Sequence, residues 1–215
     1  MEQSKFEQGT LQPKYHTSNP IYRRIVDNFN NTISDKLIEV RNTDDQIKNI
    51  LEIGVGEGQI TELCLSVFGQ EASYVCSDIA PGILSVAKSN LSWKIKKIQF
   101  SIEDLTDMSF DDNSFDLVIC CETLEHVPEF HKGLKELYRI VKPNKYLLVS
   151  VPNEPIWRIS NVIRGYYLKD FGNTPGHVNN WTFGQIRNKF LKLGFVLKSK
   201  SKPMPWSVLL LQKPK

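Results

Sequence analysis

The sequence predicts a doubly wound α/β domain, in which helices cover both faces of a parallel sheet. Short apolar segments alternate with helix-spaced segments from residue 48 to residue 151. A glycine-rich turn follows the first apolar segment, and acidic residues follow the next two. The chain has 215 residues, of which 40% are apolar and 24% charged. This composition is typical of one globular domain and excludes a disordered, collagen-like or coiled-coil protein.

Residues 1–46 are predicted to form an arm followed by one helix. The first 18 residues show no periodicity. Asn19 and Pro20 then form a pattern typical of a helix N-cap and first helical position, and apolar residues recur at helical spacing to about Arg41. The main domain is assigned to residues 47–215.

Within residues 47–215, strands and helices are predicted in alternation. Pro143 and Asn144 are expected to stop the last helix. The long aromatic-rich segment that follows, at about residues 152–194, is expected to be a lid-like insertion. Strands are predicted at 48–53, 73–77, 95–100, 115–120 and 146–151, helices at 59–68, 83–90 and 130–141, and a closing hairpin at 195–201 and 206–212.

Composition and charge restrict the function classes. Four cysteines without a C-x-x-C pair indicate a reduced, cytoplasmic protein without a zinc ribbon. The N-terminal residues lack the apolar core of a secretory signal. The net charge of +3 is unevenly distributed, because residues 1–134 carry −9 and residues 135–215 carry +12. The basic part is interpreted as a solvated face or as a surface for an anionic substrate, nucleic acid or membrane.

The glycine-rich turn Gly54-Val55-Gly56-Glu57-Gly58 joins a strand to a helix, where backbone N–H groups bind ligands. Dinucleotide-binding turns have the pattern G-x-G-x-x-G, and this turn has Gln59 in place of the last glycine. The Lys-Ser/Thr pair of a phosphate-binding loop does not follow either. Asp78 ends the next strand and suits both ribose hydroxyls, while Ile79 suits an adenine face. After the third strand, the pair Glu103-Asp104 suits an exocyclic amine.

These segments together resemble class I S-adenosylmethionine-dependent methyltransferases. The resemblance rests on the segments LEIGVGEGQITELC, SDIAPGILSVAK, FDLVICCETLEHV and LKELYRIVKPNKYLLVSVPN. Within the class, the chain most resembles the type 11 group, which includes ubiquinone-biosynthesis O-methyltransferases. This resemblance implies a Rossmann-like seven-stranded sheet with an antiparallel terminal strand and S-adenosyl-L-methionine as cofactor. It also implies cofactor contacts to methionine from Glu52, Gly54, Gly56, Gly58 and Cys121, to ribose from Asp78, and to adenine from Glu103 and Asp104.

Catalytic candidates follow the fourth predicted strand. If Glu122, Glu125 and His126 lie on one helical turn, they share a face and, with His177, form a possible divalent metal site. This arrangement is similar to small-RNA 2′-O-methyltransferases and some ubiquinone O-methyltransferases. The alternatives are that His126 stabilises the neighbouring loop and that His177 serves as a general base.

The acceptor is the least determined feature. The favoured hypothesis is O-methylation of a small molecule such as a phenol, quinone precursor or sugar. A metal-assisted RNA 2′-O-methyltransferase and a non-catalytic S-adenosylmethionine-binding protein stay as alternatives, and a nicotinamide oxidoreductase is disfavoured. The helical pattern at residues 156–167 is interpreted either as a packed amphipathic lid or as an interfacial helix that contacts a membrane.

Overall fold

The computed structural model describes residues 19–163 and 165–215, so the predicted arm at residues 1–18 lies outside the described residues. Its sheet has seven strands in the order β3-β2-β1-β4-β5-β7-β6. The strands are β1 (Asn49–Ile53), β2 (Ser73–Asp78), β3 (Ile98–Ile102), β4 (Phe115–Cys121), β5 (Val141–Pro152), β6 (Val196–Ser201) and β7 (Trp206–Gln212). Neighbours from β3 to β5 pair in parallel, and β7 pairs antiparallel with both β5 and β6. The predicted doubly wound sheet with an antiparallel C-terminal strand is therefore confirmed.

Six α-helices are described around this sheet. They are α1 (Pro20–Thr43), α2 (Gln59–Phe68), α3 (Pro81–Leu91), α4 (Phe130–Ile140), α5 (Ile156–Ile163) and α6 (Phe183–Lys192). The side chain of Asn19 accepts hydrogen bonds from the N–H groups of Ile21 and Tyr22, which confirms the predicted cap of α1. None of the helices within the described residues is long and apolar enough to cross a lipid bilayer.

Two apolar layers lie on opposite faces of the sheet. One contains the buried side of α1 together with α2, α3 and residues such as Tyr74 and Trp206. The other contains α4 and α6 with residues such as Leu134 and Phe190. Because β4 is buried along its whole length between these layers, its carboxyl end provides a fixed position for the residues that follow it.

Two predicted elements need correction. The third strand covers Ile98–Ile102 rather than 95–100, because buried Ile95 packs in the turn before the strand. Pro143 and Asn144 do not stop a helix: α4 already ends at Ile140, and both residues lie within β5. Asn144 has a φ of 61°, so it forms a bend inside that strand. Within the predicted insertion, residues 183–192 form α6 and pack into the core.

Candidate functional site

The glycine turn between β1 and α2 is closely packed against two neighbouring segments. Gly54, Gly56 and Gly58 have φ values of 72°, 56° and 94°. The N–H groups of Gly54 and Val55 donate to the Ser77 carbonyl at 2.8 and 2.9 Å. A Cβ at Gly54 would lie 2.2 Å from the Thr123 hydroxyl, and one at Gly58 would lie 2.6 Å from Leu91. Gly54 and Gly58 are therefore required both by backbone conformation and by space, and Gly56 by backbone conformation.

Asp78 lies in direct contact with this turn, at the carboxyl end of β2. Its carboxylate accepts hydrogen bonds from the N–H of Gly56 at 3.4 Å and from the N–H of Ala80 at 3.0 Å. Burial raises the pKa of Asp78, although backbone N–H groups partly offset that effect. Ile79 beside it is 64% exposed. The turn and the predicted ribose carboxylate thus belong to one site.

Glu52 points its carboxylate toward α2. It is 4% exposed and accepts a hydrogen bond from the Thr61 hydroxyl. Burial raises the pKa of Glu52 to about 8, the Thr61 hydrogen bond opposes this shift, and the charge of Asp78 adds to it. Glu52 therefore joins the turn to α2, and the methionine contact that the resemblance implies for it stays a prediction.

The two predicted adenine-side carboxylates have different surroundings. Glu103 is buried and accepts hydrogen bonds from Ser101 Oγ at 2.6 Å, Ser109 N at 2.9 Å and Ser109 Oγ at 2.7 Å. Burial alone would raise the pKa of Glu103, but these hydrogen bonds together lower it. Asp104 is exposed and accepts two hydrogen bonds from Thr106. Glu103 shapes the loop, so Asp104 is the more accessible of the pair.

Thr123 is a residue of this site that sequence reasoning missed. Its hydroxyl donates toward the carbonyls of Ile53 at 3.2 Å and of Cys121 at 3.1 Å. Cys121 itself is buried at the end of β4. The sequence signal for Thr123 is its small hydroxyl side chain two residues after β4, the strand beside the glycine turn. Thr123 connects the ends of β1 and β4 and fills the space beside Gly54.

Three of the four predicted metal ligands lie together. One ligand atom each of Glu125, His126 and His177 falls within 4.8 Å of the others. Glu125 and His177 are buried, His126 is exposed, and the two imidazole rings meet edge to face at 5.0 Å. His126 Nδ1 lies 3.0 Å from the Gly176 carbonyl oxygen. A carbonyl only accepts, so Nδ1 carries the proton of the neutral ring and Nε2 is its basic nitrogen.

Glu122 does not join this group, so its predicted place in the ligand set is wrong. The helical turn after β4 is a 3-10 turn covering only Leu124–His126, and Glu122 precedes it with a φ of 55°. The Glu122 carboxylate instead accepts hydrogen bonds from Ser150 Oγ, at 3.0 Å, and from the Trp206 indole. One carboxylate and two imidazoles still fit a divalent cation, and a ring N–H donated to a carbonyl is common in ligating histidines.

The loop that contains His177 is docked on the same 3-10 turn. The N–H groups of Val178 and Asn179 donate to the Glu125 carbonyl at 2.9 and 3.1 Å. The Asn179 side chain donates to the carbonyls of Leu124, at 3.3 Å, and Val127, at 2.7 Å. The predicted alternative, in which His126 stabilises the neighbouring loop, therefore describes a contact that is present alongside the cluster.

Comparisons with known proteins agree with this fold. A family profile described as "Methyltransferase domain" matches residues 51–149. The chain is similar to a demethylmenaquinone methyltransferase of Clavibacter sepedonicus, with 35% identity over 56% of this chain and 47% of that protein. It is also similar to a ubiquinone biosynthesis O-methyltransferase of Coxiella burnetii (strain Dugway 5J108-111), with 29% identity over 49% of this chain and 44% of that protein. The chain thus spans less than half the length of both relatives.

Among solved structures, the fold resembles the N-methyltransferase NodS from Bradyrhizobium japonicum in complex with S-adenosyl-L-homocysteine. The TM-score is 0.69 at 15% identity, covering 100% of this chain and 98% of that one. At this identity the likeness shows a shared fold. The names of these proteins include both O- and N-methyltransferases, so similarity alone does not identify the acceptor atom.

Proposed function

Residues 51–149 are a methyltransferase domain of the class I S-adenosylmethionine-dependent type, and on this premise we propose that the protein methylates an oxygen atom of a small-molecule acceptor. The observation that carries the proposal is the group of Glu125, His126 and His177 just beyond the carboxyl end of β4. Open α/β sheets bind their ligands at this edge. The glycine turn and Asp78, at the ends of β1 and β2, then hold the cofactor beside that group.

The basic cluster supports oxygen as the attacked atom. Bound S-adenosylmethionine supplies a methyl group that its sulfonium already activates. A neutral amine attacks without losing a proton first, whereas a hydroxyl needs a base to become a good nucleophile. In the proposed step His126 Nε2 accepts the hydroxyl proton, and the acceptor oxygen would take the methyl group from S-adenosylmethionine, which would leave as neutral S-adenosylhomocysteine. The His126–Gly176 hydrogen bond fixes the ring for that role.

Replacement of the proposed base tests the assignment. His126→Ala is expected to lower kcat about 10²- to 10⁴-fold, the range usual for a general base, while the affinity for S-adenosylhomocysteine stays unchanged. A methyl-labelled donor incubated with a metabolite extract, followed by mass spectrometry, identifies the acceptor for the assay. His131→Ala removes an exposed imidazole on α4 and is the matched control. Full turnover by His126→Ala, or label on nitrogen or carbon, would contradict the proposal.

A metal-assisted enzyme, including one that methylates an RNA 2′-hydroxyl, is the second candidate. The three ligand atoms within 4.8 Å favour it, since a cation held by Glu125, His126 and His177 would lower the pKa of an acceptor hydroxyl. Titration of Mg²⁺, Mn²⁺ and Zn²⁺ into chelator-stripped protein tests the site. Binding that is lost in Glu125→Gln, together with metal-dependent methylation of RNA, would favour this candidate. Cofactor binding without turnover on any acceptor pool would instead indicate a non-catalytic binding protein.

The insertion after β5 supports access to a membrane-bound acceptor. Large apolar side chains between residues 159 and 178 are more than 40% exposed, which is dense for one short segment. They are Ile159, Val162, Ile163, Tyr166, Tyr167, Leu168, Phe171 and Val178. We expect the double variant Ile163→Ser/Leu168→Ser to co-sediment less with anionic phospholipid vesicles than wild type. Ile21→Ser, on α1, is the control, and equal sedimentation of all three proteins would exclude membrane contact by this segment.

A further inference from the structure

A surface cavity that is open to solvent lies on the outer side of α6, apart from the candidate site, and most of its polar lining residues are exposed. Its volume is about 420 Å³, and it is lined by Trp181, Gln185, Asn188, Lys189 and Lys192. That volume is large enough for a small polar group bound at the surface. The four polar residues come from one helix and recur at helical spacing, so they form a continuous wall.

The polar lining presents hydrogen-bond donors. The Gln185 side-chain oxygen already accepts from the N–H of Thr182 at 2.8 Å, as part of the capping box of α6. The Asn188 side-chain oxygen accepts from the Arg187 guanidinium at 3.1 and 2.8 Å. Each amide therefore has its NH₂ group left for a ligand. The lining contains no carboxylate, so the cavity is suited to a group that only accepts hydrogen bonds.

Two ammonium groups add charge to these donors. Lys189 and Lys192 are three residues apart on α6, so their like charges lie on neighbouring positions of one face. Among residues 19–163 and 165–215, neither lysine has a carboxylate partner within ion-pair distance. Lys189 Nζ lies 4.6 Å from the centroid of the Phe130 ring, which holds this ammonium near the start of α4. A bound anion would relieve the repulsion between the two lysines.

We propose that this cavity binds the phosphoryl group of a small molecule, either a phosphorylated acceptor or free phosphate. A phosphoryl dianion has oxygens that only accept, and it matches two ammonium groups and two amide donors in both charge and number of contacts. A carboxylate has half the charge and fewer oxygens. The cavity therefore assigns a binding role to part of the basic C-terminal region.

Trp181, which lines the cavity, packs against residues near the candidate site. The Trp181 ring meets the Phe130 ring at 5.0 Å, and the Trp181 carbonyl accepts the N–H of Glu154 at the base of the insertion. Phe130 follows His126 by four residues, and Trp181 follows His177 by four. This connection makes a phosphorylated acceptor the first source to test. The inference that the phosphoryl group belongs to the methyl acceptor rests on the proposed function, whereas the inference that the cavity binds phosphate does not.

Binding is tested without methyl transfer. Calorimetric titrations use inorganic phosphate and glycerol 3-phosphate as probes, with acetate as the carboxylate comparison. We expect saturable binding of both phosphates, at least about tenfold weaker in Lys189→Gln/Lys192→Gln, because each charged hydrogen bond contributes roughly the free energy of one decade in affinity. Lys96→Gln/Lys97→Gln removes the same charge beside β3, at the other edge of the sheet, and should change affinity less than about twofold. Absence of saturable binding, equal loss in both double variants, or tighter binding of acetate would overturn the proposal.

Methylation assays then separate the two sources of phosphate. If the acceptor carries the phosphate, Lys189→Gln/Lys192→Gln raises its KM and leaves kcat unchanged, while KM for a dephosphorylated acceptor does not change. If phosphate affinity falls in this variant but no KM changes, the cavity binds free phosphate. Phosphate binding with no methylation of any acceptor would contradict the proposed function and leave this site standing. Salt-dependent binding of an RNA oligonucleotide through the two lysines, without binding of small phosphates, would overturn the small-molecule assignment.

Discussion

At the scale of single residues, Gly54 is required by the close approach of Thr123 as well as by its own backbone conformation. Its φ of 72° is matched by Gly69, whose φ is 70°. A Cβ at Gly69 would meet nothing within 4 Å, whereas a Cβ at Gly54 would lie 2.2 Å from the Thr123 hydroxyl. Gly69 has a ψ of −166°, a region essentially confined to glycine, so both glycines carry a backbone cost and Gly54 carries the steric overlap in addition.

We expect Gly69→Ala to lower the free energy of unfolding by about 1–3 kcal/mol, the usual cost of a sparsely populated backbone conformation. Gly54→Ala should lower the free energy of unfolding by about 1–3 kcal/mol more than Gly69→Ala does, because Thr123 must move away from the end of β1. Gly54→Ala should also bind S-adenosylhomocysteine more weakly, and Gly69→Ala should not. Urea unfolding and calorimetry measure both effects, and equal losses in the two variants would contradict this account of Thr123.

Glu52 makes stability depend on pH in an unusual direction. Its pKa is about 8 in the folded protein and near 4.5 in the unfolded chain, so the folded state binds the additional proton between these values. Its contribution to stability is therefore complete below pH 4.5 and is lost as the pH rises through 8.

Glu52→Gln keeps an acceptor for Thr61 and removes the ionisation. From pH 6 to pH 8 the free energy of unfolding of this variant should rise relative to wild type, by at most roughly 1.4 kcal/mol per pH unit. Urea unfolding at several pH values checks this prediction. Glu71→Gln, on an exposed 3-10 turn, is the control. A constant difference between Glu52→Gln and wild type would show that Glu52 is ionised in the folded protein.

At the scale of elements, the insertion is joined to the turn after β4 by Asn179. Its side chain bridges the carbonyls of Leu124 and Val127, and its backbone N–H donates to the Glu125 carbonyl. Because His177 lies two residues before Asn179, this bridge also fixes the distance between His177 and His126.

Asn179→Ala is expected to lower the free energy of unfolding by about 1–3 kcal/mol, since two carbonyls lose their donor. Hydrogen exchange should become faster in residues 172–181, and kcat should fall because His177 is less well positioned. The neighbouring Asn180 is exposed, so Asn180→Ala is a matched control. Unchanged exchange in Asn179→Ala would mean that other contacts hold the loop.

The sequence pattern predicts the helices and strands with strong periodicity, but it predicts the loops between them less well. The cap of α1 and the strand–turn–helix around Gly54 follow from local chemistry, so the sequence alone predicts them. Helical spacing predicts the wrong position for Glu122, because Glu122 has a φ of 55° and lies before the helical turn. Its acceptor role toward Trp206, 84 residues later in the chain, depends on β5–β7 pairing that local patterns do not encode. Thr123 was missed for the same reason, because its importance depends on Gly54 in a neighbouring strand connection.

At the scale of the whole molecule, the strand order brings the ends of β2, β1 and β4 side by side. The glycine turn, Asp78 and the turn containing Glu125 and His126 follow these strands and therefore meet at one edge of the sheet. The surface cavity on α6 lies on the side of the sheet that α4 covers, outside this edge. One chain thus has a candidate cofactor site in its acidic part and a candidate anion site in its basic part.

Because the candidate cofactor site is formed by the ends of three sheet strands, binding of S-adenosylhomocysteine there should stabilise the entire domain. At S-adenosylhomocysteine concentrations of 100 times Kd, binding adds about 2.7 kcal/mol to the free energy of unfolding. For a chain of this size that corresponds to a rise in Tm of roughly 5–11 °C. NAD should cause no rise, since Gln59 replaces the glycine of a dinucleotide turn. Thermal unfolding with each ligand measures the shift, and Gly54→Ala should reduce it. A shift with NAD and none with S-adenosylhomocysteine would mean that the turn and Asp78 hold a dinucleotide, which would remove the basis for methyl transfer.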